Sequence, residues 1–328
     1  MIEPTAGPSS TATPRADPQW PEGEALRLAL AQGDQALGRI GPILGHLLST
    51  RDQSLFSDEL VARIRAMLTH LAWQILRIQA EATGVKGREE FAAAHGEALS
   101  EQLFDTPALV AHCHALALEW QLTARLETNH GLDPVISPLL QSLIGNEDAA
   151  IASAAMASLA AQARFAQSQR RMQLPLGELP GDLFHALLLA WRSFNGEDAS
   201  DALVRAEGRL RADYDEAAGR LSLLERVVTL LGKDGTQALI FDQAGVALFL
   251  SALALRTGQP RDIVAVSLHD SQMARLAVGL RAAGLKPQDI EAQILRLHPD
   301  RDPPEGLADI GTREALTLLA RSAGWAGD

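Results

Sequence analysis

The sequence predicts an all-α protein: antiparallel helix pairs forming a bundle that passes into an α-solenoid-like (HEAT-like) C-terminal part. Three features predict it. Leucine and alanine supply most of the apolar residues, and both are strong helix formers. Apolar residues recur every three and four positions over long stretches. No run of five or more residues alternates β-branched with polar side chains, so no strand is expected.

Residues 1–21 mix Pro, Ser, Thr and Ala without periodic apolar positions and are expected to form a disordered tail. They contain neither a basic start nor an apolar run, so they do not read as a secretory signal. Trp20 is expected to pack beside the first helix as a hydrophobic staple does.

An N-terminal helical region is expected over 22–173. From Ser57 to Ala82, Val61, Ile64, Leu68, Leu71, Ile75 and Ile78 form one stripe, broadened by Leu60, Met67 and Leu76. Ser57 reads as the N-cap, with Asp58 and Glu59 in the first turn and Gly84 as the stop. The next long helix is expected to start at Asp105 as N-cap and to run to His130. Leu109, Cys113, Leu116 and Trp120 make one stripe and Leu118, Leu122 and Leu126 another, so this helix should be buried from two sides. From Asn146, read as a cap, to Arg171, the face is mostly alanine (Ala149, Ala150, Ala152, Ala154, Ala155, Ala157, Ala160 and Ala161), which should allow close helix packing.

The stretch LPLGELPGD, residues 174–182, reads as a Pro/Gly linker. A C-terminal helical, solenoid-like region over 183–328 follows. A helix is expected from Asp182 to Phe194, stopped by Asn195 and Gly196. Residues 198–231 read as one helix or two, because Gly219 interrupts them and Ser222 with Glu225 matches a capping box. Shorter helices are expected at about 236–257, 261–269, 271–283, 287–297 and 312–323, separated by Gly and Pro. Short connections point to antiparallel neighbours.

Within that region, Ala252 to Glu291 reads ALALRTGQPRDIVAVSLHDSQMARLAVGLRAAGLKPQDIE. A helix ending in an Arg-x-Gly turn is followed by a short helix closing near Ser-Leu-His-Asp, then by an amphipathic helix closing on Leu-Arg-Ala-Ala-Gly-Leu. This segment resembles the bacterial domain of unknown function 2336 family. The resemblance implies a helical, solenoid-like protein without assigned chemistry and carries no site residue over.

Composition narrows function further. The net charge of −12 works against a phosphate backbone as partner, so no nucleic acid is expected. Gln169, Arg170 and Arg171, with Arg164 before them, form the best local basic group, and a solvated helix end explains them. Cys113 is the single cysteine, which excludes an internal disulfide and suits a reducing compartment. The longest apolar run, Ala244 to Leu255, falls short of the ~20 residues of a membrane span. A cytoplasmic protein is therefore expected. Arginine far outnumbers lysine, which occurs only at Lys86, Lys233 and Lys286; with the alanine richness this reads as GC-rich bacterial coding.

No constellation reads as a catalytic or metal site. His112, Cys113 and His114 are helix neighbours that diverge around the axis and cannot share one ion. Glu127 and His130 have di-iron spacing but lack a second copy. Glu89, Glu90, His95, Glu97 and Glu101 read as a solvated face, with Phe91, Ala94 and Leu99 turned inward. Gly232 to Thr236 resembles a phosphate loop without the Ser/Thr that must follow its lysine. His185, Trp191 and Phe194 read as core.

The expected function is therefore a non-catalytic helical interaction or regulatory scaffold. It needs no cofactor and binds an unidentified protein partner through a surface near Arg256, Arg261, Arg275 and Arg281. The alternative is an enzyme or small-ligand carrier with an inter-helix pocket around His112, Glu119, His185 or Trp191. Homo-oligomerisation through the stripe at 61–78 is a third reading.

Overall fold

A computed structural model describes residues 23–49, 58–196 and 200–322. The tail at 1–21, Trp20 and the cap read at Ser57 lie outside the described residues. Among the described residues there are fourteen α-helices and no strand. None of these helices is long and apolar enough to cross a membrane.

The first six helices are α1 (Glu24–Ser49), α2 (Asp58–Thr83), α3 (Arg88–Phe104), α4 (Pro107–His130), α5 (Pro138–Ile144) and α6 (Ala149–Arg170). After the turn at 174–180 come α7 (Gly181–Asn195), α8 (Asp201–Asp213), α9 (Arg220–Leu231) and α10 (Phe241–Thr257). The chain ends in α11 (Arg261–Ser267), α12 (Met273–Ala282), α13 (Pro287–Leu297) and α14 (Thr312–Ser322).

Two apolar cores form, and α4 is the wall between them. Its stripe of Leu109, Cys113, Leu116 and Trp120 packs into the first core with α2, α3, α7, α8 and Phe165 of α6. Leu122 and Leu126 pack into the second, with α1, α5, α6 and α9 through α14. The α2 stripe belongs to the first core: Ile64, Leu68, Leu71 and Ile75 are fully buried there. A stripe spent on an intramolecular core leaves no face for pairing two chains through 61–78.

The cores are not consecutive in sequence. Leu174 and Leu179 of the Pro/Gly stretch are buried in the first core together with α2. Conversely, α1 packs on α12 and α14 in the second. There Gln272 Nε2 donates to the Gly33 carbonyl at 2.9 Å, and Arg275 pairs with Asp34 and Arg27 with Glu314.

Several helix boundaries differ from the sequence reading. Thr106, not Asp105, is the N-cap of α4, with Pro107 in the first turn; Asp105 closes α3 instead. Proline is pre-set for that position, which moves the start one residue on. In α6 the cap is Asp148, whose carboxylate accepts from Ala150 N at 2.8 Å. Asn146 serves that cap, its Oδ1 accepting from Asp148 N at 2.9 Å. The alanine face is narrower than read: Ala154, Ala155 and Ala161 are buried, whereas Ala149, Ala150 and Ala160 are exposed. On α3 the inner face is Ala92, Gly96, Leu99 and Leu103; Ala94 is exposed and Phe91 half-buried.

Residues 200–231 fold as two helices, but Ser222 lies inside α9 and the capping box does not form. Gly219 is the N-cap, wedged so that a Cβ would lie 3.1 Å from the Glu216 carbonyl and 3.2 Å from that of Gly177. The next backbone N–H, at Arg220, donates to the Glu178 carboxylate at 2.9 Å. A helix end satisfied from another segment has no need of its own serine. Similarly, α10 begins at Phe241, not 236: residues 232–239 form a 3-10 segment, and the Phe241 N–H donates to Gln293 Oε1 at 2.9 Å.

Gly245 bends α10 near its start at φ 64°, ψ 174°, with the Ser137 Cβ 3.2 Å from where its own Cβ would stand. That backbone region is essentially glycine's alone. Gly131, which closes α4 at φ 65°, ψ 22°, has open space around it. Gly245→Ala is expected to cost roughly 3 kcal/mol and Gly131→Ala about 1 kcal/mol, read by urea denaturation. Equal losses would refute the close approach of α10 to the start of α5.

Candidate functional site

Glu119 and His112 lie two turns apart on one face of α4 and meet the first two residues of α11 there. Glu119 is 1% exposed and accepts four N–H bonds. Arg220 of α9 donates to it at 2.7 and 3.1 Å. Arg261 of α11 donates from the other side at 2.9 and 3.0 Å.

The surroundings complete the set. The Arg220 guanidinium lies 3.6 Å from the Phe165 ring centroid and also donates to Gln162 Oε1 at 3.2 Å. Gln162 in turn donates to the Pro134 carbonyl at 2.9 Å. Arg261 reaches Ser251 Oγ at 3.1 Å and the Ala247 carbonyl at 3.3 Å. His112 Nδ1 donates to Asp262 at 3.0 and 3.2 Å.

This chemistry is structural. Burial by itself would raise the Glu119 pKa, but the two guanidinium groups hold it well below the usual carboxylate range. A carboxylate with every lone pair occupied accepts no substrate proton. Burial, helped by Asp262, pushes the Cys113 thiol far above its ordinary value, so it presents no thiolate nucleophile.

The four residues of the predicted pocket do not converge. His112 and Glu119 are committed to α11 and α9. His185 is exposed on α7, and Trp191 is buried in the first core with Nε1 donating to Gln79 Oε1 at 2.8 Å. Phe194 is half-buried beside it. Glu127 and His130 are exposed, and no group of three metal-ligating side chains occurs among the described residues. Glu89 pairs with Arg77 at 2.8 Å, and His95 lies against Phe91 at 4.6 Å. Residues 232–236 lie in the 3-10 segment before α10. Arg164, Arg170 and Arg171 are exposed, whereas Gln169 is buried.

Nor do the four arginines line one open face. Arg275 has 3% of its side chain exposed and is held by Asp34 and Ser322, and Arg261 has 13% and is held by Glu119. Arg281 donates to the Ile310 carbonyl at 2.8 Å and the Leu285 carbonyl at 3.1 Å. Arg256 donates to the Gly232 carbonyl at 3.3 Å. These guanidinium groups clasp one segment of the chain to another.

Two concave surfaces stand out, and of the residues named for a pocket only Trp191 lines one of them, the first. A groove of about 740 Å³ runs between α7 and α8, walled by Leu203, Val204 and Gly208 and rimmed by Arg192, Glu207 and Arg211. A cleft of about 640 Å³ lies between the second half of α4, the turn after α11 and residues 297–301. It brings together Arg125, His269, Asp270, His298, Asp300 and Arg301. A sequence signal for the cleft existed: Leu268-His269-Asp270 and Leu297-His298-Pro299-Asp300 repeat a leucine–histidine pair followed by aspartate.

Glu119→Gln would leave two buried guanidinium groups facing a neutral amide. It is expected to cost roughly 3–5 kcal/mol in urea denaturation; a variant as stable as the parent would refute the clamp. Burial, then the nearby His269 charge, lowers the His114 pKa to about 4. The unfolded chain takes up that proton near ~6.5, so between pH ~6.5 and ~4 it binds more protons than the folded one. Stability contributed by neutral His114 is therefore present above that window and is lost as pH falls through it, by roughly 3 kcal/mol in all. His114→Gln is expected to flatten the stability–pH curve there; an unchanged slope would exclude His114 as its source.

No family model matches the chain, and no curated protein or solved structure is similar to it.

Proposed function

We propose that the chain is a non-catalytic helical scaffold that binds a protein partner in the bacterial cytoplasm, with α9 through α14 stacked as a short solenoid. Sequential packing of α10 on α11, α11 on α12 and α12 on α13 supports the stacking. The single observation that carries the function is the division of labour among polar groups. The buried charges of Glu119, Arg220 and Arg275 are paired inside, while, among the described residues, an apolar groove stays open between α7 and α8. Val204 is 60% exposed on its wall, and Leu189 on α7 is 48% exposed.

The groove also suggests its occupant. On a chain of net charge −12, Arg192, Arg205, Arg209 and Arg211 all stand exposed on α7 and α8. Arg192 and Arg211 share the largely buried Glu207 and Arg209 pairs with Glu81, so two carboxylates face four guanidinium groups. An amphipathic helix with an apolar face and acidic flanks matches that combination. The four arginines of the sequence reading act here as internal clasps that hold the scaffold's shape. The alternative pocket around His112, Glu119, His185 and Trp191 has no convergent lining to support it.

Val204→Asp alters only an exposed wall and should leave the melting temperature unchanged. Capture from source lysate, followed by titration of the recovered partner, is expected to show affinity reduced at least ~10-fold, about 1.4 kcal/mol. Undiminished binding by the variant would move the interface elsewhere, and no specific partner at all would overturn the scaffold reading.

A further inference from the structure

The cleft beside α4 carries more chemistry than a scaffold needs. Leu118, Leu122, Leu268 and Leu297 line it together with polar side chains, and it holds charges of both signs. Arg125 is exposed and donates one N–H to the Leu297 carbonyl at 3.2 Å. Among the described residues it has no carboxylate partner. Arg301 is taken by Asp270 at 2.9 Å, but Asp300 is exposed without a cation against it. A guanidinium and a carboxylate that are not paired with each other thus line one cleft.

His298 lines the same cleft, 7% exposed, with its buried Nε2 lacking any hydrogen-bond partner among the described residues. The Leu268 carbonyl beside the ring favours its charged form and opposes the effect of burial. Burial first, and the Arg125 charge second, lower its pKa, so the ring is neutral at pH 7. A neutral ring keeps a proton on one nitrogen and a lone pair on the other. A ring nitrogen that is buried and unmatched is costly unless a partner satisfies it.

These features restrict the ligand. An anion alone suits Arg125 but meets the carboxylates of Asp270 and Asp300. A cation alone suits those two and leaves Arg125 unmatched. Metal binding has no support, because no set of three ligands assembles among the described residues. A small molecule with both charges and an apolar tail satisfies every group at once, and the volume is in the usual range for such sites.

We propose that this cleft binds a free apolar α-amino acid: its carboxylate on Arg125, its ammonium toward His298 and Asp300, and its side chain against the leucines. The site is independent of the α7–α8 groove and stands or falls without the scaffold reading.

Isothermal titration of the full chain with leucine, methionine and phenylalanine tests it, beside 4-methylpentanoate and 3-methylbutylamine as single-charge analogues of leucine. At least one amino acid is expected to bind, and each analogue at least ten-fold more weakly than leucine. Arg125→Ala and Asp300→Asn alter exposed side chains and should fold as the parent does. Each is expected to weaken amino-acid binding ten-fold or more, whereas Val204→Asp should leave it unchanged. No heat with any of the three amino acids at millimolar concentration would overturn the proposal. So would an analogue binding as tightly as leucine, or full binding by Arg125→Ala.

Discussion

The rest of the structure depends on one buried carboxylate shared by two guanidinium groups. Taking three charges out of water is unfavourable unless attraction and hydrogen bonds offset it. Here Glu119 fills all its acceptor sites with N–H groups of Arg220 and Arg261, and Gln162, Ser251 and the Phe165 ring take up what the arginines have left. Asp262, part-exposed and bonded to His112, sets a second negative charge beside the two positive ones. Its importance lies less in stability gained than in geometry imposed. Only one mutual placement of α4, α9 and α11 satisfies every partner; any other strands a charge in the interior.

That placement explains a fold which local propensity would not hold. Seven residues are too few for α11 to persist alone. It is held because its first two side chains are clamped to α4 while Val264 and Ala265 pack into the second core. Residue α4 positions divide accordingly: one stripe serves the first core, Leu122 and Leu126 the second, and the arc left between them carries Leu118, Gln121 and Arg125. The cleft is the space that remains where α4 passes from one core to the other.

What was legible in the sequence was local. The stripe of α2 and the first stripe of α4 follow from helical periodicity and land in one core; of the second stripe Leu122 and Leu126 land in the other, while Leu118 stays at the edge of the first. Stops at Gly84, Gly131 and Gly196 were equally local, because a left-handed or open backbone needs nothing beyond its own residue. The misread boundaries at Asp105, Asn146 and Ser222 share another cause. Several side chains could have capped, and the choice was made by a neighbouring proline, by a second polar residue or by a distant carboxylate. Arginine use was illegible for the same reason on a larger scale. Glu119 is 101 residues from Arg220 and 142 from Arg261, and Asp34 is 241 from Arg275. Nothing in the local pattern separates an arginine that will be solvated from one that will be clasped.

The two ends of α11 join the clamp to the cleft. Arg261 and Asp262 at its start are fixed by Glu119 and His112; Leu268, His269 and Asp270, just past its end, form one wall of the cleft. A seven-residue helix is about 10 Å long and has little room to bend. The clamp therefore sets where Asp270 and the Leu268 carbonyl stand beside His298. An open, polar-rimmed surface thus acquires a defined donor–acceptor pattern from charges buried one helix away, with no contact between those charges and whatever enters the cleft.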